Sequence, residues 1–166
     1  MNQTNPQSFH SEFLTLTYQR YESMRERVRE KRTRGGHILR VGRQLEFTVE
    51  EFRQWCRKQL GSEQGTCRCF YCPAILDIQT MVTDHMTPLM QGGALDLTNL
   101  APACRPCNDR KGSMRAQAFI QLMSLANNTA AFNQIDRTDL LGRLQSAIKL
   151  AIKVQQTQAQ IRRQAS

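Results

Sequence analysis

The sequence lacks any long hydrophobic run, which excludes a helix that spans a bilayer. Its first residues, MNQTNPQSFHSEF, show neither the charged start nor the apolar stretch of a secretory signal peptide. At 166 residues the chain is also too short for a large buried core, so one ordinary domain or two very small ones are expected. We therefore expect a cytoplasmic protein without a membrane partner.

Negative charge is scarce relative to positive charge. The chain has 23 Lys and Arg against 14 Asp and Glu, which gives a formal net charge of +9. Residues 1–60 and 115–166 each carry +5, whereas residues 61–114 carry −1. Basic flanks around a nearly neutral centre favour a polyanionic partner such as DNA.

The cysteines are concentrated in the centre of the chain. Two C-x-x-C pairs, Cys69/Cys72 and Cys104/Cys107, can surround one Zn²⁺ tetrahedrally in a closed structural site. In a reducing compartment, two such pairs favour zinc over a redox dithiol or small buried side chains. Cys67 offers an alternative first ligand, but only Cys69 forms a C-x-x-C turn with Cys72.

Hydrophobic periodicity predicts helices on both sides of this centre. A helix is expected over 8–32, followed by a short hairpin or a linker turned at Gly42. Thr48 and Glu51 form a capping box at the start of TVEEFRQWCRKQL, which predicts another short helix. Two further helices are predicted after residue 113.

The centre is rich in turn residues and predicts short elements. AILDIQTMVTDH indicates one or two strands, TPLMQGGALDLTN a loop, LAPAC another strand, and a helix is expected from about Arg105. We predict three parts: a basic helical N-terminal arm over 1–43, a zinc-binding domain over 44–113, and a C-terminal helical segment over 114–166.

A family resemblance appears in DHMTPLMQGGALDLTNLAPACRPCNDRKG, which resembles the HNH endonuclease motif in its four-cysteine zinc-bound form. TVEEFRQWCRKQLGSEQGTCRCFYC is similar to the segment that leads into this motif, so the resemblance covers about 44–113. It implies an α+β fold, in which a small ββα-metal nuclease core held by zinc is flanked by N- and C-terminal helices. Asn108 stands where many members have histidine, which makes this the H-N-N variant.

The residue types suit phosphodiester hydrolysis. His85 can act as the general base, because an imidazole is neutral near physiological pH. Asp84 and Asn108 offer hard oxygen ligands for a catalytic Mg²⁺ or Mn²⁺; a turn cap and a helix cap are the alternatives. The resemblance implies that Asn99 ties the loop by side-chain hydrogen bonds so that His85 is oriented.

Basic residues supply candidate DNA contacts. Those near the motif are Lys111, Arg110 and Arg105, and those in the N-terminal arm include Arg27, Arg32 and Arg34. For both sets, phosphate contact and a solvated helix face are open alternatives, and the arm helix could also pack on a partner.

Two functions from different classes follow. The first is a metal-dependent DNA endonuclease that nicks or cuts both strands, with structural Zn²⁺ and catalytic Mg²⁺ or Mn²⁺; the resemblance implies 5′-phosphate and 3′-hydroxyl ends. The alternative is a catalytically inactive, zinc-held subunit for nucleic-acid binding or assembly. A homodimer or a larger nuclease assembly is compatible with either, and a redox-sensing dithiol protein is a third possibility.

Overall fold

The computed structural model describes residues 6–32, 38–40, 42–133, 136 and 139–150. By their internal contacts the residues form two compact units, Met1–Ala116 and Gln117–Ser166. The first unit contains the N-terminal helix together with both cysteine pairs. The predicted boundaries near residues 43 and 113 stay predictions.

The chain begins with helix α1 (Pro6–Arg29), which runs into strand β1 (Glu30–Arg32). β1 pairs antiparallel with β2 (Ile38–Arg40), with Glu30 opposite Arg40. This pairing corrects the predicted hairpin turned at Gly42, because β2 finds its partner upstream in the chain. It also ends α1 before residue 32, since residues 30–32 extend to form the strand.

Helix α2 (Val49–Leu60) packs against α1. The predicted capping box is confirmed: the Thr48 side chain accepts from the Glu51 amide at 3.2 Å, and the Glu51 carboxylate accepts from the Thr48 amide at 2.7 Å. Gly61 ends the helix with φ of +77°, a left-handed conformation that glycine adopts without strain. The buried side chains of the two helices include Phe13, Met24, Val28, Phe52, Cys56 and Leu60.

The centre contains two small hairpins and one short helix. Strands β3 (Cys67–Arg68) and β4 (Ile75–Leu76) form the first hairpin, which carries the first cysteine pair in its turn. Strands β5 (Met81–His85) and β6 (Leu100–Cys104) are antiparallel, with Met81 opposite Cys104 and His85 opposite Leu100.

Helix α3 (Arg105–Lys111) follows β6 directly and packs against both β5 and β6. The predicted order of strand, loop, strand and helix is therefore present, within a mixed α+β fold in which helices flank a small core. Cys104, which precedes α3, lies opposite Met81 at the start of β5, and Lys111 at the end of α3 contacts Asp84 and His85 at the end of β5.

The second unit contains most of helix α4 (Ala116–Asn133) and the helical residues 139–150. Both lie where the sequence predicted helices. Within the described part of the chain, no helix combines the length and the apolarity needed to cross a membrane.

Candidate active site and cysteine cluster

Four cysteines converge at the junction of the two hairpins. Cys69 and Cys72 come from the β3–β4 turn, Cys104 ends β6, and Cys107 lies in α3. Their Sγ atoms all lie within 4.8 Å of one another, and those of Cys72 and Cys104 are 3.7 Å apart. Tetrahedral zinc with Zn–S bonds of ~2.3 Å places its sulfur ligands about 3.8 Å apart. The cluster therefore has the spacing to hold zinc.

Electrostatics of the cluster also favour a cation. Burial opposes ionisation of Cys69, but backbone amides of Cys104 at 3.3 Å and Tyr71 at 3.4 Å donate to its sulfur and lower its pKa overall. Burial raises the pKa of Cys104 and of Cys107. All four groups can become thiolates together only if a positive ion compensates their charge.

The other two cysteines lie outside this group. The Cys67 sulfur contacts the Met81 sulfur at 4.0 Å, and the cluster takes Cys69, as the C-x-x-C spacing favoured. Cys56 is fully buried in α2, and burial raises its pKa to about 12, so its thiol stays protonated. It belongs to the core.

Asp84 and His85 end strand β5 beside α3. They line an open cleft of about 450 Å³ together with Asn108 of α3 and Arg27 of α1. The fold thus brings Asp84, His85 and Asn108 to one cavity. The sequence predicted that these three side chains act together. The cleft is open to solvent and can admit a substrate.

Both carboxylate oxygens of Asp84 are engaged. The Tyr71 hydroxyl donates to Oδ2, and the Lys111 ammonium donates to Oδ1 at 3.0 Å and to the His85 carbonyl at 2.9 Å. Asp84 is only 6% exposed, so these bonds compensate the burial of its charge. They fix the carboxylate between the cysteine turn and α3.

His85 has the electrostatics of a base. Burial lowers its pKa; Asp84 acts in the opposite direction, and Lys111 and Arg27 lower the pKa further. Neither ring nitrogen has a hydrogen-bond partner among the residues described here. The imidazole is therefore neutral near pH 7, with a nitrogen available to accept a proton.

Asn99 holds the loop between β5 and β6. Its Oδ1 accepts from the Thr87 amide at 2.8 Å, and its Nδ2 donates to the carbonyls of Thr87 at 2.9 Å and Ala94 at 3.0 Å. A Cβ on Gly93 would lie 2.0 Å from the Thr87 carbonyl oxygen, so only glycine fits there. The Asn99 side chain thus joins both ends of the loop that follows His85.

The ordered cysteine pairs, the β5–β6 hairpin and the short helix α3 lie in one continuous segment of the chain. Residues 69–114 match the model of the HNH endonuclease family. The match covers both cysteine pairs, Asp84, His85 and Asn99, and it ends just after α3. For this segment, it confirms the HNH resemblance predicted from the sequence. No curated protein matched the chain.

Lys111 of the HNH domain does not lie on a solvated helix face, which was one of its two predicted positions. It was a candidate phosphate contact, but it is 2% exposed and its ammonium group is enclosed by Asp84 and the His85 carbonyl. The ammonium group is thus engaged with Asp84 and the His85 carbonyl at the wall of the cleft, and contact with a phosphate stays a prediction. The ion pair compensates the buried carboxylate, and a lysine one turn after Asn108 is long enough to reach back to β5.

The other basic candidates lie in different places. Arg27 and Arg105 are exposed and line one groove of about 250 Å³ with Asn108, next to the cleft of the HNH domain. Arg110 is exposed on α3 but lines neither cavity. The Arg32 side chain and all of Arg34 lie outside the described residues.

Sequence reasoning missed the part played by Tyr71 in this site. Its place between two paired cysteines indicates only a turn, and its bond to Asp84 spans positions that no periodicity connects. The sequence did contain one signal of this role. Tyr71 lies inside a short turn, and a buried tyrosine hydroxyl usually requires a hydrogen-bond partner.

Proposed function

We propose that the chain is a metal-dependent DNA endonuclease that hydrolyses phosphodiester bonds by nicking or by double-strand cleavage. The observation that carries the proposal is that Asp84, His85 and Asn108 line one open cleft inside a segment that matches the HNH family. As in the family, the products would carry 5′-phosphate and 3′-hydroxyl ends. A homodimer or a larger nuclease assembly stays a prediction of the sequence.

Two different metal sites belong to this proposal. The four-cysteine cluster takes structural Zn²⁺, for which its sulfur spacing is suitable. Asp84 and Asn108 hold a catalytic Mg²⁺ or Mn²⁺ through oxygen atoms. A carboxylate has about four acceptor positions, so the bonds of Asp84 to Tyr71 and Lys111 leave room for an ion. Since one imidazole is replaced by Asn108, these two ions are favoured over catalytic zinc.

The protein side chains have separate roles in the proposed reaction. His85 accepts the proton of a water molecule in the cleft, which turns that water into the nucleophile. Lys111 and Asn99 hold the backbone at His85 and just after it, through the His85 carbonyl and the Thr87 amide, and so orient the ring. A divalent ion at Asp84 and Asn108 would stabilise the charge that develops on the phosphate and the leaving oxygen.

Metal-dependent cleavage is the direct test. Purified protein is expected to convert supercoiled plasmid to nicked or linear DNA with Mg²⁺ or Mn²⁺, and to lose this activity in EDTA, as followed by gel electrophoresis. Cleavage that survives EDTA would contradict the proposal. Salt-sensitive DNA binding without cleavage under either ion would instead support the inactive binding or assembly subunit.

Arg27 and Arg105 are the proposed contacts to the DNA backbone. Neither guanidinium forms an ion pair in the described part of the chain, and both line the groove beside the cleft. Changing either one to glutamine is expected to weaken binding to DNA of any sequence and to reduce the salt slope by about one. Fluorescence anisotropy over a salt series measures both quantities.

A matched control lies on the same helix. Arg25 is paired with Glu22 at 3.1 Å, so Arg25→Gln makes the same charge change outside the cleft and the groove. Its salt slope is expected to stay at the wild-type value. Equal losses in Arg25→Gln and Arg27→Gln would mean that net charge, and not the groove, governs binding.

A further inference from the structure

Tyr71 links the cysteine cluster to the proposed catalytic carboxylate. It lies between Cys69 and Cys72, and its backbone amide donates to the Cys69 sulfur at 3.4 Å. Its hydroxyl reaches across the interior and donates to Asp84 Oδ2. One residue therefore contacts both centres, and it is only 9% exposed.

The Tyr71 hydroxyl is a permanent donor in this position. The hydroxyl group carries the hydrogen of this bond and meets Asp84 Oδ2 directly. The other oxygen of the carboxylate, Oδ1, accepts from the Lys111 ammonium at 3.0 Å, so Asp84 acts as an acceptor on both sides. The donor and acceptor roles of this bond are thus fixed.

The two partners of Asp84 come from the two pieces that the cysteine cluster joins. Tyr71 belongs to the β3–β4 turn with the first cysteine pair, and Lys111 belongs to α3 with Cys107. They hold opposite oxygens of one carboxylate. Loss of the Tyr71 bond would leave Asp84 held from the α3 side alone.

We propose that Tyr71 is a positioning residue, which orients the Asp84 carboxylate for the divalent ion and so makes the cysteine turn part of the catalytic centre. This inference rests on the proposed function. Groups that hydrogen-bond a metal ligand fix its orientation and its basicity, and their loss lowers metal affinity about 10–100-fold. Tyr71 would act through Asp84, without contact to the ion or the DNA.

Tyr71→Phe tests this inference, because it removes one oxygen atom and keeps the ring. The full chain with zinc bound is titrated with Mn²⁺, and zinc content and the thermal unfolding midpoint are measured on the same samples. We expect Mn²⁺ binding to weaken about 10–100-fold while the zinc content stays unchanged.

Tyr21→Phe is the matched control. The Tyr21 hydroxyl donates to the Phe47 carbonyl at 3.1 Å, so the control also loses one partly buried tyrosine hydrogen bond, but away from Asp84. Its Mn²⁺ affinity is expected to equal that of the wild type. A shared drop in thermal midpoint with different Mn²⁺ affinities would separate positioning from general stability.

The outcomes distinguish the two proposals. Unchanged Mn²⁺ affinity in Tyr71→Phe, while Asp84→Asn loses Mn²⁺, would overturn the role of Tyr71 alone. Equal Mn²⁺ binding by wild type and Asp84→Asn would overturn the proposed metal site. A Tyr71→Phe protein that loses zinc or unfolds would assign Tyr71 to the fold, and that result also contradicts the inference.

Discussion

Replacing His85 with alanine is expected to slow DNA cleavage about 10²–10⁴-fold, the usual contribution of a positioned general base. Burial lowers the pKa of His85, and no hydrogen bond from the described residues occupies its ring nitrogens. The neutral imidazole is thus ready to accept a proton from water. Without it, the nucleophile must form unaided in the same cleft.

The measurement is the single-turnover rate on supercoiled plasmid at saturating Mg²⁺, compared with the Mn²⁺ affinity of the same variant. His10→Ala is the control, because His10 lies on the surface with its ring bonded to Glu63 at 2.8 Å. Equal rates in wild type and His85→Ala would assign the cleavage to a contaminant. A large loss of Mn²⁺ affinity in His85→Ala would assign His85 to metal binding.

The pH dependence of the cleavage rate tests the role of His85 independently. A base works in its deprotonated form, so the wild-type rate should rise with pH until His85 is neutral and then level off. Because burial lowers the pKa of His85, this rise should lie at lower pH than the ~6.5 of an unperturbed histidine. The residual activity of His85→Ala should lack the rise.

The sequence predicted those parts of the site whose residues keep a fixed order and spacing along the chain. The two C-x-x-C pairs predicted the cluster, because two short turns are enough to place four sulfurs together. The alternation of short strands with a loop predicted the hairpin and α3. Asp84 and His85 were singled out because that order of residues resembles the HNH motif.

Contacts between distant residues were not predictable in this way. Lys111 lies in a helix with Arg105 and Arg110, so its charge suggested solvent or phosphate, whereas the buried Asp84 that neutralises it lies far away in sequence. Tyr71 was missed for the same reason. In both cases a hydrogen bond formed by tertiary packing decides the role, and no local pattern records it.

Strand β2 shows the same limit for backbone pairing. Residues 38–40 carry a strand signal, but the sequence does not say which segment they pair with. Gly42 suggested a downstream turn, and the pairing with Glu30–Arg32 is upstream. The register of a three-residue strand is weakly specified by its sequence, since only a few side chains distinguish one face from the other.

Replacing Cys107 with serine is expected to remove zinc and to unfold the HNH domain. Cys107 is the buried ligand from α3, and the cluster ties α3 and β6 to the β3–β4 turn. Structural zinc contributes about 10–16 kcal/mol of apparent binding free energy. This is comparable to the entire stability of a typical domain, about 5–15 kcal/mol, so the small strands between the cysteines cannot compensate for its loss.

Trp55, the single tryptophan, reports on this change because it stacks on Phe52 in α2, within the same compact unit as the cluster. Near-UV circular dichroism should lose its tryptophan signal in Cys107→Ser and in wild type treated with a zinc chelator. Cys67→Ser is the control, since Cys67 lies outside the cluster, and it should keep one zinc per chain. Zinc-free wild type that keeps the signal, and that forms reversible disulfides under oxidation, would instead identify the four cysteines as redox dithiols.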